Sequence, residues 1–281
     1  MLSSKVNTST KMYGVIGDPI KHSKSPLMLN RAFQEMKINA IYGAFHVETH
    51  QLKEAMEGLR AFKLGGLNVT IPHKVEVMSY IDEIDEGAKV IGAVNTIVND
   101  NGKLVGYNTD GIGYVRSLKE ETELDLTGKR ILILGAGGAA RGVAYALSGE
   151  SPEHIWIANR TTERATELAE SMQPYVQATG MGISDITKIN NDVDLVINTT
   201  SVGMHPQVDY SPIPSLFIKE NMVFSDLIYN PRKTKLLSLA EEKGCQIHSG
   251  LGMFIYQGAY AFEYWTGKPA PIEAMKQVME Y

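Results

Sequence analysis

The sequence predicts two α/β domains, the second inserted into the first, and three observations carry that prediction. At 281 residues the chain exceeds what one domain of ordinary size needs. Short apolar runs alternate with segments whose apolar residues recur at helical spacing, the order that builds sheets covered by helices. The alternation then restarts near residue 130, where Ile131 to Leu134 run straight into Gly135, Gly137 and Gly138. The expected domains are residues 1–112 plus 252–281, and residues 113–251. The last two helices have no strand to serve, so they are expected to return to the first domain.

Composition narrows the functional class. The chain carries 27 basic and 32 acidic residues, a formal net charge of -5, which disfavours a general nucleic-acid or anionic-membrane surface. A single cysteine, Cys245, excludes an internal disulfide or a multi-cysteine metal site, and its apolar flanks predict a buried strand position. No metal ligand set is expected. The polar leader lacks an apolar run of signal-peptide length and no stretch reaches membrane-spanning length, so the expected location is the cytoplasm.

In chain order, a first strand over Met12–Ile16 is broken by Gly17-Asp18-Pro19. Pro26 suits a first helical turn with Ser25 as its cap, ahead of Leu29, Ala32, Phe33 and Met36 at helical spacing. A second strand covers Ile41–Val47, and a helix carries Leu52, Ala55, Met56 and Leu59. The third strand, Gly66–Ile71, brings Asn68, Thr70 and Lys74 to its carboxyl end, where open α/β sheets present ligands. Val75–Ile81 reads as a helix. Gly92–Val98 and Lys103–Tyr107 form a hairpin around Asn101-Gly102, which puts Asn95 near one strand end and Asp110 near the other. Both positions are also compatible with plain turn chemistry. A helix from about Ile112 to Lys119 closes this half.

The second half opens with Gly135-Ala136-Gly137-Gly138-Ala139-Ala140, a strand-to-helix turn with the G-x-G-x-x-A spacing of a dinucleotide fingerprint. Such a turn leaves backbone amides uncovered at a helix N-terminus, where a pyrophosphate can approach; it also arises for steric reasons alone. The next strand, His154–Ala158, ends in Asn159-Arg160-Thr161-Thr162-Glu163-Arg164. An acidic residue there would accept hydrogen bonds from a ribose, whereas Arg160 and Arg164 suit a 2'-phosphate, so NADP is expected over NAD. Further strands are expected at Val193–Thr200, Met222–Ile228 and Gln246–His248, and helices at Met253–Trp265 and Pro271–Met279.

Taken together, Ser23-Lys24-Ser25, the NVTIPHK run from Asn68 to Lys74, GAVNT from Gly92, GYNTDG from Gly106, GAGGAAR from Gly135, NRTTER from Asn159, the Ser201–Met204 run, Tyr229-Asn230-Pro231 and the Gly250–Lys268 segment with Gln257 resemble the bacterial shikimate dehydrogenase family over nearly the whole chain. The resemblance implies a substrate-binding domain followed by a Rossmann-like domain, and NADP-dependent interconversion of 3-dehydroshikimate and shikimate on the route to chorismate and the aromatic amino acids. By that similarity Ser23, Ser25 and Tyr229 would hold the ring carboxylate, and Asn68, Thr70, Asn95, Asp110 and Gln257 would read the hydroxyls. Lys74 and Asp110 would carry the chemistry, with Lys74 as proton donor or as a positioning group. Gly135, Ala136, Gly137, Gly138 and Ala139 would cradle the pyrophosphate, and Asn159, Arg160, Thr161 and Arg164 would surround the adenosine phosphate. Leu227 and Gly250 would line the nicotinamide side, with Glu86 approaching from the first domain, and a closing interdomain cleft would hold both ligands. The same similarity is compatible with a monomer or a homodimer, with a quinate-accepting NAD enzyme, and with a catalytically silent NADP sensor.

Overall fold

Runs of β-branched and aromatic residues that alternate with amphipathic helices set up two sheets. The computed structural model describes residues 6–189 and 191–279; the start of the polar leader lies outside them. The described residues divide into two compact units, those up to Thr109 with those from Ile255 onward, and Asp110–Phe254.

The first unit contains β1 (Lys11–Gly17), α1 (Ser25–Glu35), β2 (Ala40–His46), α2 (Leu52–Ala61), β3 (Gly66–Val69), β4 (Glu83–Ile84), α3 (Glu86–Ile91), β5 (Thr96–Asp100) and β6 (Lys103–Tyr107). Its sheet runs β2-β1-β3-β5-β6-β4. β1 pairs in parallel with β2 and β3, whereas β5 is antiparallel to both β3 and β6. The antiparallel hairpin follows from Asn101 and Gly102, whose φ values of 53° and 100° suit a tight turn that matches strand twist. Leu52, Met56 and Leu59 of α2 pack with Ile16, Leu67, Val69 and Ile97 into one core.

The second unit begins with α4 (Asp110–Thr122) and continues through β7 (Arg130–Leu134), α5 (Gly138–Ser148), β8 (His154–Asn159), α6 (Thr162–Met172), β9 (Ala178–Gly182), β10 (Leu195–Asn198), β11 (Val223–Asp226), α7 (Lys235–Glu242) and β12 (Gln246–His248). The sheet is parallel throughout, in the order β12-β11-β10-β7-β8-β9. Ile131 to Leu134 are fully buried, as a strand with both faces covered requires. Chain order reverses between β7 and β10, so the crevice at their carboxyl ends is the switch point of a doubly wound sheet. The apolar helix α8 (Gly250–Thr266) spans the boundary residue Phe254, and α9 (Ile272–Met279) belongs to the first unit. There Trp265 meets Tyr13 at 5.0 Å between ring centroids and donates through Nε1 to Ile97 O at 2.9 Å.

Two local expectations are corrected and one strand is added. Lys24, not Ser25, is the residue before the first helical turn of α1, and it makes no side-chain cap; Ser25 is already helical and buried. Glu76–Tyr80 is a 3-10 turn rather than an α-helix, with Val77 as its sole buried residue. β9 went unforeseen because Ala178-Thr179-Gly180-Met181-Gly182 lacks a strand's apolar alternation. Gly180 is needed there, since a Cβ would lie 2.4 Å from the backbone nitrogen of Thr166 in α6. Cys245 is buried next to β12, its thiol donating to Lys219 O at 3.0 Å.

Candidate active site

In the first unit the strand directions decide which residues meet. Because β5 is antiparallel to β3, Asn68 at the end of β3 stands opposite Thr96 at the start of β5, and Thr96 stands opposite Tyr107 at the end of β6. Asn95 and Thr109, just beyond those strand ends, therefore arrive on the same edge. There they form a continuous polar cluster. Tyr42 donates its hydroxyl to Asn68 Oδ1 at 2.7 Å, and Asn68 Nδ2 donates to Thr96 Oγ1 at 3.0 Å and to Asn95 O at 3.2 Å. Thr96 Oγ1 donates to Asn95 Oδ1 at 3.0 Å, Asn95 Nδ2 to Thr109 Oγ1 at 3.0 Å, and Thr109 Oγ1 to the backbone carbonyl of Gln257 at 3.0 Å. Asn68, Asn95, Thr96 and Thr109 are all buried. Buried polar groups satisfied to this extent hold one arrangement.

Ser25 joins the cluster through Tyr42. Burial pushes the phenol well above its usual range, and the Ser25 hydroxyl works against that shift. Ser23 is half-buried, and its Oγ accepts from Ser25 N at 3.4 Å. Next to the cluster, the Thr70–Lys74 turn is tied down on both sides. Thr70 N donates to Ile16 O at 3.0 Å, and Val94 N donates to Lys74 O at 2.8 Å. His73 is fully buried, with Nε2 donating to Val47 O at 2.7 Å and Nδ1 without a protein partner among the described residues. That anchor fixes the backbone of Lys74, whose side chain is half-exposed. Asp110, in the second unit, opens α4 directly after the held Thr109. Glu86 opens α3, exposed and 3.5 Å from Lys89.

In the second unit the glycine turn sits at the switch point. Gly135 has φ 109°, and a Cβ there would lie 2.6 Å from Thr199 Oγ1, so only glycine fits the turn. Gly137 and Gly138 differ: a Cβ on either would meet nothing within 4 Å. Their lack of side chains leaves open space over the start of α5. Gly137 caps that helix without a side-chain bond, and the first turn carries no acidic residue. Exposed amides of Gly137, Gly138 and Ala139 with no competing anion fit a pyrophosphate. Ala136 beside them is half-exposed. At the end of β8, Asn159 Nδ2 donates to Thr161 O at 3.0 Å, and Thr161 precedes α6 without a side-chain cap. Arg160 and Arg164 are exposed there. No acidic side chain occupies the end of β8 itself, and the donor set suits a phosphate better than a bare ribose.

Below the remaining strand ends lie two buried clusters that sequence reasoning missed. Asp226 accepts from Asn198 Nδ2 at 3.1 Å, Ile228 N at 3.0 Å and Thr234 Oγ1 at 2.7 Å. Asn198 Oδ1 in turn accepts from the Thr200 amide and hydroxyl. This ties together the ends of β10 and β11 and the start of α7, and burial raises the Asp226 carboxyl to about 6. His248 lies between Ser225 Oγ, 2.8 Å from Nδ1, and Ser117 Oγ, 2.7 Å from Nε2; burial lowers it to about 4. These clusters set the backbone at Leu227, which is half-buried, and at Gly250, where a Cβ would lie 2.0 Å from Leu227 O. Tyr229 is exposed, its ring 5.7 Å from that of Phe254. The missed residues are hydroxyls, an amide, an imidazole and an acid spread from Ser117 to His248, and no local pattern joins them because strand pairing and helix packing alone make them neighbours. Among the described residues no group of His, Cys, Asp or Glu is placed to hold a metal, and no helix is long and apolar enough to cross a membrane.

Comparison with known proteins covers nearly the full length. Residues 15–97 match the model of the shikimate dehydrogenase substrate binding domain, residues 117–236 that of shikimate / quinate 5-dehydrogenase, and residues 250–280 that of the shikimate 5'-dehydrogenase C-terminal domain. A shikimate dehydrogenase (NADP(+)) of Bacillus anthracis is 48% identical over 269 residues, covering 96% of this chain and 97% of that protein. Among solved structures, a shikimate dehydrogenase in complex with NADP+ is 44% identical with a TM-score of 0.91, over 100% of this chain and 98% of the other. The shikimate 5-dehydrogenase of Listeria monocytogenes in complex with shikimate and NAD is 37% identical with a TM-score of 0.93, over 99% of each chain.

Proposed function

The chain belongs to the shikimate dehydrogenase family, and from that premise we propose that it interconverts 3-dehydroshikimate and shikimate with NADP, Lys74 and Asp110 handling the proton. The observation that carries this reading is the buried cluster of Asn68, Thr96, Asn95 and Thr109 beside the anchored Thr70–Lys74 turn, with Val94 N bonded to Lys74 O at 2.8 Å. A set of fixed amides and hydroxyls next to a lysine suits a small polyhydroxy ring with one carbonyl.

NADP when bound supplies or accepts the hydride. In the direction of reduction, negative charge develops on the carbonyl oxygen. The Lys74 ammonium stabilises that charge and donates the proton; in oxidation it takes the proton back. The Asp110 carboxylate accepts from the same hydroxyl region and orients the ring. Asn68, Thr70, Asn95 and Gln257 read the remaining hydroxyls, and Ser23, Ser25 and Tyr229 hold the ring carboxylate with hydroxyl donors. On the cofactor side, the amides from Gly135 to Ala139 hold the pyrophosphate and Asn159, Arg160, Thr161 and Arg164 hold the adenosine phosphate. Leu227 and Gly250 flank the nicotinamide, and Glu86 stands at the rim of the cofactor. The protein acts in the cytoplasm as a monomer or homodimer, without nucleic acid or membrane.

Initial rates with shikimate or quinate, each paired with NADP or NAD, test the reading. It expects shikimate with NADP to give the highest kcat/KM. A preference for quinate with NAD would overturn the assignment of both ligands, and binding of NADP without turnover would make the chain a sensor.

A further inference from the structure

The cluster at the edge of the first sheet has a direction, and that direction restricts what it can read. Two backbone groups fix it. The Thr109 N–H can only donate, and at 2.8 Å from Asn95 Oδ1 it turns the oxygen of that amide toward itself. The Asn95 carbonyl can only accept, and at 3.2 Å from Asn68 Nδ2 it turns the nitrogen of the other amide toward itself. Between the two amides stands Thr96 Oγ1, 3.0 Å from Asn68 Nδ2 and 3.0 Å from Asn95 Oδ1. Its single proton must therefore point to Asn95, and its oxygen must accept from Asn68. At the other end Tyr42, 2.7 Å from Asn68 Oδ1, donates its only proton there. Asn68 thus spends both amide protons and one lone pair inside the protein. What it has left for a ligand is one acceptor position on Oδ1.

We propose that Thr96, with Tyr42 behind Asn68, is a specificity-setting positioning residue: by locking the amide polarity it makes Asn68 an obligate acceptor that recognises a ring hydroxyl able to donate. This rests on the reading of Asn68 as a substrate residue. A carbonyl cannot donate, so an acceptor placed at the reacting oxygen would lose its bond in 3-dehydroshikimate, and the inference assigns to Asn68 a hydroxyl that is not oxidised. It is present in both 3-dehydroshikimate and shikimate, and the contact supports binding of both without favouring turnover of either.

Thr96→Val keeps the branched shape at the start of β5 and removes the hydroxyl. The variant is expected to raise KM for shikimate about tenfold, because an Asn68 amide freed to turn presents a donor where the ring hydroxyl needs an acceptor. kcat should change less than about threefold and KM for NADP less than about twofold, as for loss of uniform binding. Thr96→Ser should restore the wild-type KM. Against three mono-deoxy analogues of shikimate, the wild type should discriminate most strongly at one ring position, and that discrimination should shrink in Thr96→Val. Tyr42→Phe should shift the same parameters in the same direction, and serves if Thr96→Val does not fold. An unchanged KM for shikimate in both variants would overturn the inference, as would equal rises in both KM values that Thr96→Ser fails to reverse. Wild-type protein that does not turn over shikimate at all would instead remove the reading beneath it.

Discussion

Arg160 and Arg164 stand exposed at the end of β8 and in the first turn of α6, and neither takes part in an ion pair among the described residues. Replacing both by Ala should raise KM for NADP by roughly 10- to 100-fold, the scale of charge-assisted bonds to a phosphate, while KM for NAD stays within about twofold. Parallel saturation curves with the two nucleotides check this; equal losses with both would place the arginines away from the 2'-phosphate. Their place at the end of the second strand was readable because the strand, the glycine turn and the second strand follow at fixed spacing. Ser25 shows the opposite case. As a serine before Pro26 it reads as a cap, but Lys24 occupies that position and the Ser25 hydroxyl is turned to Tyr42. No local pattern could separate the two uses, because the partner is 17 residues away across another element.

At the scale of elements, the glycines of one turn do different work, and substitution should separate them. Gly135→Ala places a Cβ against Thr199 at a positive φ and should lower stability by about 1–3 kcal/mol, seen as a lower midpoint of thermal unfolding. Gly137→Leu meets no protein atom with its Cβ and has an ordinary φ of -94°, so the midpoint should hold while NADP affinity falls. A Gly137→Leu protein that binds NADP normally would show that the open space over α5 is not the nucleotide's. Periodicity marked most strands and helices here because their apolar faces are regular. It missed β9, whose two glycines interrupt any apolar alternation and which is held by pairing with β8 and by the close approach of α6. It equally missed the cluster joining residues 42, 68, 96, 109 and 257, since strand pairing and the packing of α8 make them neighbours.

For the whole molecule, two strongly shifted buried groups of the second unit pull stability in opposite directions as pH changes. His248 has its pKa lowered from 6.5 to about 4, so the unfolded chain takes up its proton first and stability is lost as pH falls through that window. Asp226 is raised from 3.8 to about 6; the folded chain takes up that proton first, and its contribution is lost as pH rises through 6. Relative to a His248→Gln variant, the wild type should therefore lose about 3 kcal/mol of unfolding free energy between pH 7 and pH 4. Denaturant titrations at both pH values measure it, and a pH-independent difference would mean that His248 titrates alike in both states. The proposed turnover depends on a lysine that moves a proton at a ring oxygen while NADP takes the hydride. Its most direct test is the rate of absorbance rise at the reduced-nicotinamide band with saturating shikimate and NADP, wild type beside Lys74→Met. The wild type should turn over steadily and the variant at least about 100-fold more slowly, with its affinity for NADP retained. A variant with near-normal turnover and only a raised KM for shikimate would contradict the proton-transfer role.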